Sequence, residues 1–151
     1  AATMLGLRQV YPGRYDPDII LRLISDEGVT FSHCVPTGLS MILDHPNCPQ
    51  NDLHRWKVII GGAALPRSLQ TRAATAGISL HAAYGMSETC PFLTVADLSS
   101  NDPEMQAQTG FSGPLVDLRV VTPDMKDVPH DGETTGEIVA RAPWVDTRLS
   151  G

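Results

Sequence analysis

The apolar positions of this chain recur at two periods, and the alternation between them predicts its elements. After Asp16, placed to cap a helix with Pro17 at its first position, Ile19, Ile20, Leu23 and Ile24 recur at helical spacing as far as about Asp26. Val29 to Val35 is rich in β-branched and aromatic residues and is predicted as a strand. Pro36 opens a second helix through about Leu43, which His45-Pro46 ends. Lys57 to Ile60 is a short apolar run of the buried-strand kind. Pro66 to Ala76 is predicted as a helix stopped by Gly77, and Ile78 to Ala82 as the next strand. A shorter strand is expected at Arg8-Gln9-Val10, before the turn Tyr11-Pro12-Gly13. Strands separated by helices of this length need crossover connections, so the expected fold class is α/β: a parallel sheet of βαβ units with flanking helices.

Beyond about Gln108 the texture changes. Gly110, Gly113 and Pro114 punctuate a turn region, and Leu118 to Val121 and Gly136 to Arg141 are predicted as strands. The polar run Asp124 to Asp131 between them is expected to be a solvated loop. The chain therefore divides into an α/β part over 1–108 and a β-rich part over 109–151. Ala1-Ala2-Thr3-Met4-Leu5 has the character of a final helical turn closed by Gly6, and its beginning is missing. No initiator Met stands in front, and the chain stops at Arg148-Leu149-Ser150-Gly151 soon after a predicted strand. Both ends imply part of a larger domain, a fragment of a longer protein.

Composition narrows the functional classes. Hydrophobic residues at 42% and charged residues at 19% describe an ordinary soluble globular chain. Eleven Lys and Arg against 17 Asp and Glu give a net charge of -6, which offers no electrostatic footprint for DNA or RNA. No window approaches the roughly 18 uninterrupted apolar residues of a membrane span, and no signal-peptide layout begins the chain, so the expected compartment is the cytosol. Cys34, Cys48 and Cys90 are odd in number and far apart, which favours reduced thiols over disulfides.

The candidate chemistry lies in two loops. Gly61-Gly62-Ala63-Ala64-Leu65-Pro66 follows the apolar run Val58-Ile59-Ile60, and Tyr84-Gly85-Met86-Ser87-Glu88-Thr89 follows the next predicted strand. Loops beyond the carboxyl ends of parallel strands are where open sheets bind ligands. Gly61 and Gly62 let the backbone approach a flat ring, and Tyr84 offers a stacking face. Ser87 can donate to a phosphate oxygen, and Glu88 is a hard oxygen ligand suited to Mg²⁺. The same residue types also suit a tight strand-to-helix turn, a half-buried aromatic, and the cap and first turn of a short helix. Gly85-Met86-Ser87 lacks the second glycine of a nucleophile elbow, because Thr89 stands there. His33, Cys34, His45, Cys48 and His54 lack the paired spacing of a zinc site. His81 suits either a satisfied strand-end histidine or a group near a bound ligand.

As a pair, separated by an alanine-rich helix, the two loops resemble those of AMP-forming acyl-CoA synthetases, the fatty-acid CoA ligases of the adenylate-forming enzyme superfamily. The resemblance covers roughly residues 4 to 145 and implies a fragment of the large N-terminal domain. It implies that Gly62, Ala63 and Ala64 line an adenine pocket and that Tyr84 stacks on the base. Gly85 and Met86 would border the adenylate and the acyl group. Ser87, where the family usually has Thr, would reach the α-phosphate, and Glu88 would hold Mg²⁺; these two would be the catalytic residues. Val35-Pro36-Thr37 resembles the family's turn beside the substrate channel, and Leu39, Met41, Ile42 and Leu43 would serve either as an acyl wall or as core. Thr135-Gly136-Glu137-Ile138-Val139 resembles a later structural motif. The implied cofactors are ATP/AMP, Mg²⁺ and CoA, and the implied partners are a medium- or long-chain fatty acid and the remaining domains of the parent chain. The family's Ser/Thr/Gly-rich phosphate loop, its Tyr-x-Thr-Gly-Asp motif and its C-terminal lysine domain do not occur in the sequence. Val145-Asp146-Thr147-Arg148 also departs from the family's usual continuation. The isolated chain is accordingly expected to be inactive, and the alternative is a catalytically silent structural or weak nucleotide-binding module.

Overall fold

The computed structural model describes residues 2–98 and 110–145. The expectations at Ala1, at the Gln108 boundary and at Asp146-Thr147-Arg148 lie outside the described residues.

Helix α1 spans Pro17–Asp26, and it begins there because the Asp16 carboxylate accepts hydrogen bonds from the amides of Asp18 at 2.9 Å and Ile19 at 3.3 Å. Strand β1, Phe31–Cys34, leads into α2, Pro36–Leu43, and β2, Lys57–Ile60, leads into α3, Arg67–Thr75. Strand β3 is Ser79–Tyr84. These three strands form the expected parallel ladder in consecutive order, with Val58 opposite Leu80 and Ile60 opposite Ala82. The right-handed crossover rule puts helices joining strands in such an order on one face of the sheet, and α1, α2 and α3 do pack in succession.

That helix-covered face holds the core. Leu21, Leu39, Ile42, Leu53, Val58 and Ile60 are at most 2% exposed, and each such side chain contributes about 2 kcal/mol by leaving water. Trp56 is buried with them and donates from its indole nitrogen to the Ser32 hydroxyl at 2.9 Å. On α1 the fully buried positions are Leu21 and Ile24, so the stripe is turned from the expected Ile19 and Leu23, which are only partly covered. On α2, Leu39 and Ile42 belong to the core and Leu43 packs against it, while Met41 is 46% exposed.

The sheet continues past β3 with two antiparallel strands that the periodicity does not announce. These are β4, Thr94–Asp97, paired to β3, and β5, Phe111–Ser112, paired to β4. Strands β6, Asp117–Val121, and β7, Glu137–Arg141, form the separate antiparallel pair expected in the tail. The intervening loop is not wholly solvated, since Val128 is buried and its amide bonds the Val120 carbonyl at 3.0 Å. Arg8-Gln9-Val10 is not a strand: it joins no ladder, and Arg8 is instead ion-paired to Glu27. Residues 2–6 form a turn and no helix, although Gly6 has the positive φ and the Leu7 amide the bond to the Ala2 carbonyl that close a helix end.

Candidate nucleotide site

Three loops leave the carboxyl ends of β1, β2 and β3 and meet. The Gly61 amide donates to the Cys34 carbonyl at 3.3 Å, tying the β2 loop to the end of β1. A Cβ on Gly61 would lie 3.5 Å from the Ala83 carbonyl oxygen and from the Phe92 ring, and 3.6 Å from His33 Nε2. Gly62 has φ +83°, a region that L side chains disfavour, and its Cα faces Val35. Gly62, Ala63 and Ala64 are exposed on the surface of this turn, whereas Gly61 is buried beneath it.

Tyr84 is the last residue of β3, half-buried and opposite Thr94. The chain then folds back: the Leu93 amide returns a 2.8 Å hydrogen bond to the Tyr84 carbonyl. Between them a 3₁₀ turn over Ser87–Thr89 presents Met86, Ser87 and Glu88 to solvent. Among the described residues, neither the Ser87 hydroxyl nor the Glu88 carboxylate has a hydrogen-bond or ion-pair partner. The cap of this turn is Met86, and the side chain that closes it is Thr89, so Ser87 and Glu88 are freed from that task.

A lone exposed carboxylate beside a hydroxyl fits a Mg²⁺ that keeps most of its waters and shares phosphate oxygens with its protein ligand. Among the described residues no group of three or more His, Cys, Asp and Glu is gathered as a metal cluster, so His33, Cys34, His45, Cys48 and His54 do not converge. His33 stacks edge-on against Phe92, with ring centroids 5.4 Å apart, beside Gly61. His81 lies on the opposite face of β3 from Tyr84, with its Nδ1 3.7 Å from Asp97 and its Nε2 3.4 Å from the Ser79 hydroxyl. It is a partnered strand histidine.

Thr89, His33 and Phe92 are the residues at this site that sequence reasoning does not assign. Thr89 lies inside the recognised string, but burial, which sets it apart from its neighbours, is invisible there. Phe92 could have been suspected as an apolar residue just after Pro91. An apolar cavity of about 270 Å³ runs along β1 beneath α1, between Val10, Tyr15, Leu23 and Val29, and His33 also lines it. Burial there pushes the Cys34 thiol up to about 11, and burial together with the nearby Cys34 pushes the Tyr15 hydroxyl up to about 12.

A sheet whose glycine-bearing loops converge beyond the carboxyl ends of adjacent parallel strands has the layout of the α/β domains that take ligands at their loop ends. The chain belongs to the AMP-binding enzyme family, whose pattern matches residues 1–147. It is 36% identical to a long-chain-fatty-acid–CoA ligase of Thermus thermophilus, over 96% of this chain and 29% of that enzyme. It is 31% identical to an indoleacetate–CoA ligase of Aromatoleum aromaticum, over 99% of this chain and 30% of that enzyme. Its fold matches the N-terminal domain of FACL13 from Mycobacterium tuberculosis with a TM-score of 0.81 at 22% identity, covering 93% of this chain and 35% of that one. The chain thus spans under a third of the length of the curated relatives it matches. Among the described residues no helix is long and apolar enough to cross a membrane.

Proposed function

We propose that this chain is a central segment of an acyl-CoA ligase that activates a medium- or long-chain fatty acid in the cytosol. In the first half-reaction the carboxylate oxygen attacks the α-phosphorus of ATP, forming acyl-AMP as pyrophosphate leaves. In the second, the CoA sulfur attacks the acyl carbonyl and AMP leaves. The observation that carries this reading is the pairing, after neighbouring parallel strands of an AMP-binding family chain, of the exposed Gly62-Ala63-Ala64 turn with the exposed Ser87 and Glu88, which have no side-chain partner among the described residues. The choice of a fatty acid rests on the similarity to the long-chain ligase, while the indoleacetate ligase marks how widely the acid varies among relatives.

In this reading Gly62, Ala63 and Ala64 border the adenine, Tyr84 stacks on it, and Gly85 and Met86 lie along the adenylate. Ser87 donates to an α-phosphate oxygen as negative charge grows there. Glu88 holds Mg²⁺, which when bound neutralises phosphate charge in the transition state. Val35 and the His33–Phe92 pair wall the approach to the loops.

Glu88→Gln in the full-length ligase tests the reading, because it keeps shape and removes charge. Adenylation, followed as pyrophosphate exchange, should fall on the order of 10²-fold with a raised Mg²⁺ requirement. Near-normal exchange at ordinary Mg²⁺ would reduce Glu88 to a turn residue.

A further inference from the structure

Of the described residues, only Thr89 and Thr94 are buried polar ones, and Thr89 lies within the loop that carries Ser87 and Glu88. Its hydroxyl is the hub of that loop. The Met86 amide donates to Thr89 Oγ1 at 3.0 Å, and the hydroxyl hydrogen is offered to the Met86 carbonyl at 2.9 Å and to the Pro91 carbonyl at 3.0 Å. One side chain therefore accepts from the amide of the residue before the turn and shares its single proton between that residue's carbonyl and the carbonyl two residues beyond its own position. The Thr89 amide adds a 3.0 Å bond to the Met86 carbonyl, and the Cys90 amide one of 3.2 Å to Ser87.

The turn has little else to define it. It is three residues long, and its first two residues expose side chains without partners among the described residues. Short 3₁₀ turns have poor hydrogen-bond geometry, so the direction of Ser87 and Glu88 depends on what anchors the flanks. The Pro91 carbonyl, which Thr89 holds, also lies directly over Gly85: a Cβ there would come within 1.7 Å of it. The same hydroxyl thus joins the entry of the loop at Met86 to its exit at Pro91.

We propose that Thr89 is a positioning residue for adenylation: its buried hydroxyl fixes the turn that presents the Ser87 hydroxyl and the Glu88 carboxylate to the nucleotide. The proposal rests on the ligase reading above and adds to it a residue that touches neither substrate nor metal. A reacting group displaced by about 1 Å can cost on the order of 10²-fold in rate, which is the scale at stake.

The test uses the full-length ligase with Thr89→Val, Thr89→Ser and Thr89→Cys, each also placed in a Ser87→Ala/Glu88→Gln background. Pyrophosphate exchange, its Mg²⁺ midpoint and thermal stability are measured, together with hydrogen exchange at the Met86 amide. Thr89→Val should lower kcat about 10- to 100-fold, raise the Mg²⁺ midpoint and speed exchange at Met86. Thr89→Ser should restore most of the rate. Thr89→Cys, close to Ser in size but a weak hydrogen-bond partner, should behave as Val does and keeps the comparison available if the Val protein does not fold. In the Ser87→Ala/Glu88→Gln background the Val and Cys changes should cost nothing more. An equal loss in both backgrounds, or a Ser variant as poor as Val, would overturn the proposal and leave Thr89 as packing. Full activity of Ser87→Ala/Glu88→Gln alone would instead overturn the ligase reading of this loop, and the positioning role with it.

Discussion

Glycine stands at position 85 because of Pro91. The carbonyl of Pro91 crosses so close to the Gly85 Cα that no side chain fits, whatever binds outside the loop. Gly61 differs, since a Cβ there meets its neighbours at ordinary contact distance. Gly85→Ala should therefore destabilise the protein by about 3 kcal/mol through forced backbone movement, and Gly61→Ala by less than about 1 kcal/mol. Urea unfolding of the two variants checks this, and equal losses would contradict the geometry. The thiols give a second residue-scale test. Burial raises the Cys34 thiol to about 11 from an ordinary 9.0, so its share of stability is present below about pH 9 and is lost as pH rises through 11. Cys90 is exposed and Cys48 buried. Alkylation at pH 8 followed by peptide mapping should mark Cys90 well before Cys34, because the thiolate is the reactive form; equal labelling would show the β1 side to be open.

Among the elements, α1 carries its start signal in sequence: Asp16 and Pro17 were legible as cap and first residue, and the structure gives them those roles. Asp16→Ala removes two amide partners and should cost about 1 kcal/mol, read as a lower unfolding midpoint. Parallel strands β1 to β3 were legible from short-range pattern too: β2 is a short apolar run, and β1 and β3 lie in segments set off by helices and turn residues. Strands β4 and β5 were not: β4 follows the turn of Ser87–Thr89 with no helix between it and β3, β5 is only two residues long, and their pairing is supplied by the β3 edge and by β4 in turn. Arg8-Gln9-Val10 errs in the opposite direction: Val10 and the following turn suggested a strand, but a segment becomes a strand only where a ladder is available.

Across the whole molecule, the five-stranded sheet has helices α1 to α3 against one face, and the candidate site lies at one end of the parallel strands. Chemistry at such a site needs groups closing over the nucleotide from several directions. This chain spans under a third of its curated relatives and supplies loops from one side. With ATP, CoA, Mg²⁺ and a series of fatty acids, the 151-residue chain should form neither AMP nor thioester above background, as followed by chromatography of the nucleotides. Robust turnover would show that the segment is complete in itself.

What the sequence determined by itself was everything set by short-range pattern: the βαβ rhythm, the cap of α1, the two glycine-bearing loops and the string Tyr84 to Thr89. These are properties of neighbouring residues, fixed by periodicity and backbone freedom. Tertiary structure decided which side of each element was buried. It placed Leu39 and Ile42 in the core, turned His81 to Asp97, brought Phe92 and His33 to Gly61, and buried Thr89 while leaving the Ser87 and Glu88 side chains exposed. Those outcomes depend on contacts between positions distant in the chain or on the path of a turn, and no local window contains them.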